Sequence, residues 1–149
     1  MVFGKKKLMA LIDILLPVAK SNKKLDGFLR PAAVLLSNNC DIRTSCYVDI
    51  STKKALARSI SLLRKYIKKD AVEAVVLISE GWITSGIKTG TKSLPAKDAI
   101  SVIAMSPSTS YGIYVPVKCD KKVAITFGKR VEMTQITSPF VDMLWKKKP

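Results

Sequence analysis

Val72-Glu73-Ala74-Val75-Val76-Leu77-Ile78-Ser79-Glu80-Gly81-Trp82 is the stretch on which the fold turns. From Val72 to Ile78 it is almost continuously apolar and rich in valine. A strand with one face in water alternates apolar with polar residues. This one does not, so it reads as a central strand buried on both faces or nearly so. It is the backbone of the expected core.

Immediately upstream, Leu56, Ile60, Leu63 and Ile67 recur at the spacing of one helical face, while Lys54, Arg58, Lys65 and Lys68 fall on the opposite one. Ser51 suits the N-cap. Lys68 and Lys69 stand in the last turn, where the helix dipole favours positive charge. Before this helix, Pro31 opens the short apolar run Ala32 to Leu36, and Asn38-Asn39 supplies a turn before a second strand around Ile42 to Val48, so the pair reads as a hairpin. At the N-terminus Leu8, Leu11, Ile12, Leu15 and Leu16 mark a helix to about Ser21, with Pro17 as a kink or early end. Ser21 to Gly27 reads as a polar loop.

Downstream, Thr84 to Lys97 is a Gly, Ser, Thr and Lys loop containing Pro95, too polar to pack. Strands are expected near Ala99 to Met105, Tyr111 to Val117, Val123 to Phe127 and Arg130 to Ile136. Pro116 places its strand at an edge. A short C-terminal helical turn over 138–145 precedes a frayed basic tail, 146–149. The expectation is one α+β domain over 1–149, in the order α-β-β-α-β-β-β-β. Its sheet has five to six antiparallel or mixed strands, and both main helices pack on one face. By element order alone it resembles roadblock-like and profilin-like modules, a likeness that carries no function.

The segment Leu29 to Trp82 combines Pro31 opening a strand, a helix over Lys53 to Lys69, and an apolar strand closing in Ser79-Glu80-Gly81-Trp82. It resembles a family of small uncharacterised bacterial and phage proteins that share an apolar strand ending in Ser-Glu-small-Trp. The match covers about a third of the chain, and this chain departs from it in being basic and in its Lys-rich loop. What the resemblance implies is a fold and a phage or mobile-element origin, with no mechanism attached.

Twenty-six Lys and Arg against eleven Asp and Glu give a formal charge of +15 over 149 residues. Such an excess attracts polyanions, and nucleic acid is the first partner it suggests, although lysines spread over every segment also serve solubility. There is no histidine, and the three cysteines, Cys40, Cys46 and Cys119, have neither an even count nor CxxC spacing. No disulfide framework, metal site or cofactor is therefore expected, and the commonest catalytic base is missing. Lys5 to Lys7 ahead of Leu8 to Ala19 imitate a signal peptide, but Asp13 interrupts the apolar stretch. A cytoplasmic protein with no membrane span is the expectation.

Gly86 to Ser93 follows an apolar strand and ends in Lys-Ser, as a phosphate-binding loop does. Thr91 stands where that loop needs Gly before its Lys, and Pro95 falls in what would be the first helical turn, so the spacing fails. Glu80, at the end of a buried strand, calls for a specific Arg, Lys or backbone N–H partner. Trp82 reads as a core anchor or a functional aromatic.

The candidate nucleic-acid contacts are Lys54, Arg58, Lys65, Lys68 and Lys69 on the second helix, with Lys88 and Lys92 in the loop. The leading expectation is a non-catalytic binding module that contacts nucleic acid, without reading sequence, or an acidic protein. Two others stand beside it: a protein–protein or dimerisation module working through a sheet edge or helix face, and an enzyme using Glu80 and the 84–97 loop.

Overall fold

The computed structural model describes residues 4–49, 51–80, 88–89, 92–93, 99–119, 125–133 and 144–145. The elements run α1 (Lys5–Asp26), β1 (Ala32–Leu36), β2 (Ile42–Tyr47), α2 (Lys53–Lys69), β3 (Ala74–Glu80), β4 (Lys88–Thr89), β5 (Lys92–Ser93), β6 (Ala99–Met105), β7 (Ser110–Cys119), β8 (Ile125–Phe127) and β9 (Val131–Glu132). Seven strands form one sheet in the order β2-β1-β3-β6-β7-β8, with β9 also beside β7, and every pairing is antiparallel. This is the expected α+β class, with β3 in the interior of the sheet. β4 and β5 form a separate two-stranded hairpin inside the segment read as a loop.

The helices do not share a face. Val34 and Leu36 of β1, Ala74, Val76 and Ile78 of β3, and Ile100, Val102 and Ala104 of β6 pack with Leu8, Leu11, Ile12, Leu16 and Ala19 of α1. The alternate residues Ala33, Leu35, Val75, Leu77, Ile103 and Met105 pack with Ile60 and Leu63 of α2, joined by Val72, Met133 and Leu144. Successive side chains of a strand point to opposite faces, so uninterrupted apolar strands require a cover on both sides. That requirement corrects the expectation of two helices on one face. The result is three layers: α1, sheet, α2.

α1 continues through Pro17 and takes in Ser21 to Asp26, which the sequence suggested as a loop. Pro17 removes one backbone hydrogen bond from the helix interior, a cost of about 3 kcal/mol. Burial of Leu16 and Ala19 on either side offsets it. The helix stops at Gly27, whose φ of 77° is the left-handed cap and whose N–H donates to the Lys23 carbonyl at 2.9 Å.

α2 starts one residue later than Ser51 would place it. Thr52 is the cap and its hydroxyl accepts from Ala55 N–H, because Ser51 gives both its N–H and its hydroxyl to Asp49. Its far end is a Schellman turn, with Ala71 at φ 52° and Val72 N–H donating to Ile67 O.

Pro116 lies in β7, between β6 and β8, and not at an edge. Its carbonyl accepts from Gly128 N–H, so its nitrogen faces the same side, where β8 gives way to β9. Val117 pairs with Phe127 and Tyr114 with Val131, which leaves one extra residue on the β8–β9 side. A bulge there needs no donor from proline. A Cβ on Gly128 would lie 3.3 Å from that of Pro116, a tight contact to which the proline ring would have to yield. Residues 138–143 of the expected C-terminal turn, the tail 146–149 and most of 84–97 lie outside the described residues; Leu144 and Trp145 form a bend.

Candidate nucleic-acid interface

Seven of the residues of α2 are basic and none is acidic: Lys53, Lys54, Arg58, Arg64, Lys65, Lys68 and Lys69. Ile60 and Leu63 are buried against the sheet and Leu56 and Ile67 are half-buried beside them, which turns Lys54, Arg58, Lys65 and Lys68 outward. All four, with Lys53 and Lys69, are exposed. From Lys54 to Lys68 the stripe runs for about 21 Å at 1.5 Å per residue. That length faces about six phosphates of one strand of a duplex.

Part of this charge is placed against the stability of the helix, while Lys68 and Lys69 in the last turn are favoured by its dipole. Lys53 and Lys54 stand in the first turn, at the positive end of the helix dipole. Lys54 with Arg58, and Lys65 with Lys69, are like charges one turn apart, each pair costing about 0.2–0.5 kcal/mol. Among the described residues, Lys53, Lys54, Lys65, Lys68 and Lys69 have no ion-pair partner. At the N-terminal end, the Asp49 carboxyl is held below the usual carboxylate range, first by hydrogen bonds from the Ser51 hydroxyl and N–H and further by the charge of Arg58.

The lysines of α1 behave differently. Lys5 pairs with Glu132 at 3.1 Å and lies over the Tyr111 ring, Lys7 donates to the Asn38 carbonyl, and Lys20 and Lys24 lie over the ring of Phe127. Arg130, beyond the bulge, pairs with Asp13. These cations fasten α1 to the sheet and its edge. Among the described residues, most lysines of α1 are thus partnered while those of α2 form an open stripe, a difference that the spacing of lysines in the sequence does not reveal.

Glu80 has the specific partner its position called for. Its Oε1 is shielded from solvent and meets Lys23 Nζ at 2.5 Å, and the same ammonium donates to the Gly27 carbonyl at 2.8 Å. The pair therefore links the end of β3 to the cap of α1. Trp82 lies outside the described residues. Lys88 and Lys92 stand in β4 and β5, where Lys88 is in register with Ser93 and Thr89 with Lys92. Lys92 and Ser93 are therefore in a strand and not in the first turn of a helix, as a phosphate-binding loop would require. Cys40 is exposed; Cys46 is half-buried, and burial pushes its thiol up.

Among the described residues no cluster of acidic, cysteine or histidine side chains has a metal-binding arrangement, and no helix is long and apolar enough to cross a membrane. Comparison of the chain with family models, with curated proteins and with solved structures found no match.

Proposed function

We propose that this chain is a non-catalytic binding module that contacts nucleic acid through the outer face of α2, without reading base sequence. The observation that carries the proposal is the exposed stripe Lys54, Arg58, Lys65 and Lys68 on a helix with no acidic residue. Any surface helix turns its charges outward; what favours this reading is seven basic residues with no acidic one, including two in the first turn, where the helix dipole disfavours positive charge. Release of counterions from the phosphates supplies the binding energy, which makes affinity fall steeply with salt.

The test is fluorescence anisotropy of the purified chain with labelled duplex DNA across a salt series. Four phosphate contacts give a slope of log affinity against log salt of about −3.6. Reversing two of them, Arg58→Glu with Lys65→Glu, lowers the steepness by about 2 and weakens binding at every salt concentration. Binding indifferent to the two reversals would remove α2 from the contact.

A second reading, a protein–protein module, rests on β2, which forms one edge of the sheet and has four of its six residues exposed. An unpaired strand edge is a template for another strand. Two copies of a chain at +15 repel each other, so this reading requires an acidic partner, and sedimentation of the chain alone as a monomer agrees with it.

A further inference from the structure

At the C-terminal end of α1 lies a half-open pocket of about 360 Å³. α1 lies over β3, β6 and β7 and packs with Val34 and Leu36 of β1, while Ala32 at the start of β1 and Tyr47 of β2 lie outside the core that it covers. Ala32 pairs with Tyr47 on one side and Ile78 on the other, so the three share one row on the α1 face. Ala19 and Ala32 are too small to fill the space above that row. After the left-handed turn at Gly27, Phe28, Leu29 and Arg30 line the pocket on the way into β1.

The rim holds two aromatic rings that folding does not bury: Phe28 is 56% and Tyr47 69% exposed. Arg30 lies with its guanidinium carbon 5.2 Å from the centre of the Tyr47 ring. Asn22 and Asp26 supply an amide and a carboxylate on the same rim. Flat rings, a small apolar floor and a few hydrogen-bonding groups make a pocket for a planar, polar-edged ligand.

We infer that this cavity takes one unstacked base of a single-stranded nucleic acid. The base stacks on the Tyr47 and Phe28 rings, Asn22 and the Asp26 carboxylate meet the hydrogen-bonding groups on its edge, and Arg30 receives the adjoining phosphate. The inference rests on the nucleic-acid reading of α2 and extends it to the strand state of the ligand. Asp49, two residues beyond Tyr47, donates its N–H to the Ser59 hydroxyl of α2 at 3.1 Å, which ties the strand end carrying Tyr47 to α2. The basic stripe lies on the opposite layer, so a single strand that used both places would have to pass round the β2 edge.

The experiment compares a fluorescein-labelled single strand with a duplex of the same sequence, using the full chain, Tyr47→Ala, Phe28→Ala and the Arg58→Glu/Lys65→Glu pair. Both aromatic residues are exposed, and thermal melting checks that each variant stays folded. The expected result is that wild type favours the single strand and that Tyr47→Ala weakens it about five- to 150-fold, the value of one stacked base. Duplex affinity stays within about twofold, and the salt slope is unchanged because no charge is removed. Phe28→Ala acts in the same direction.

Single-strand affinity left unchanged by both aromatic variants overturns the inference, as does an equal loss for single strand and duplex. In either case the Arg58→Glu/Lys65→Glu pair still reports separately on α2. No binding to either ligand overturns both readings.

Discussion

The Lys23–Glu80 pair should contribute more than a surface ion pair and less than a buried one. The two side chains are 14% and 25% exposed and 2.5 Å apart. Exposed pairs couple by about 0.2–1 kcal/mol, whereas removing one partner of a fully buried pair costs about 3–5 kcal/mol. With most of both groups out of water, and Lys23 also holding the Gly27 carbonyl, Glu80→Gln should destabilise by about 1–3 kcal/mol. A chain of this size loses about 2–4 °C of melting temperature per kcal/mol, so the melt should fall by about 2–12 °C. A double-mutant cycle with Lys23→Met, read by urea unfolding, should give a coupling of about 1–2 kcal/mol. A coupling below about 0.3 kcal/mol would refute the reasoning and reduce the contact to coincidence. Because the pair anchors the turn that delivers Phe28 and Arg30, Glu80→Gln should also weaken single-strand binding more than duplex binding.

Two further outcomes follow from the ends of α2. Lys53→Glu with Lys54→Glu should raise stability, by about 0.3–1 kcal/mol for each favourable charge at the helix start, while lowering duplex affinity. Thermal melting and anisotropy measured on the same sample would show the two moving in opposite directions. Ala71→Gly should stabilise by about 0.5–1 kcal/mol, because relief of the left-handed strain outweighs the added freedom of the unfolded chain. The midpoint of urea unfolding reads this directly, and no gain would mean that Ala71 is not strained at its φ of 52°.

Local chemistry made the elements legible in the sequence. The apolar faces of α1 and α2, the strands β1, β3 and β6 and the turn at Asn38-Asn39 all came from side-chain period and turn residues, because both act over a few positions. The basic stripe of α2 came from the same period, and the need of Glu80 for a partner came from the cost of an unpaired charge in a strand end. The failures share a cause as well. The local penalty of proline suggests an early helix end at Pro17 and an edge at Pro116, but the helix runs on to Asp26 with Leu16 and Ala19 buried beside Pro17, and Pro116 sits at a bulge formed with residues far along the chain.

The sequence by itself determined the α+β class, the order of its main elements and the amphipathic character of α2, since each depends on neighbours within a turn or a strand. Only the tertiary structure decided that the helices lie on opposite faces and that Lys23 answers Glu80. It alone set Lys5, Lys7, Lys20, Lys23 and Lys24 of α1 to work as fasteners while the lysines of α2 stay open, and it alone brought Asn22, Asp26, Phe28, Arg30 and Tyr47 to one pocket. Those outcomes depend on which strands lie side by side and which surface each helix covers. Strand order is set by contacts between distant segments, and no local pattern of charge or hydropathy records it.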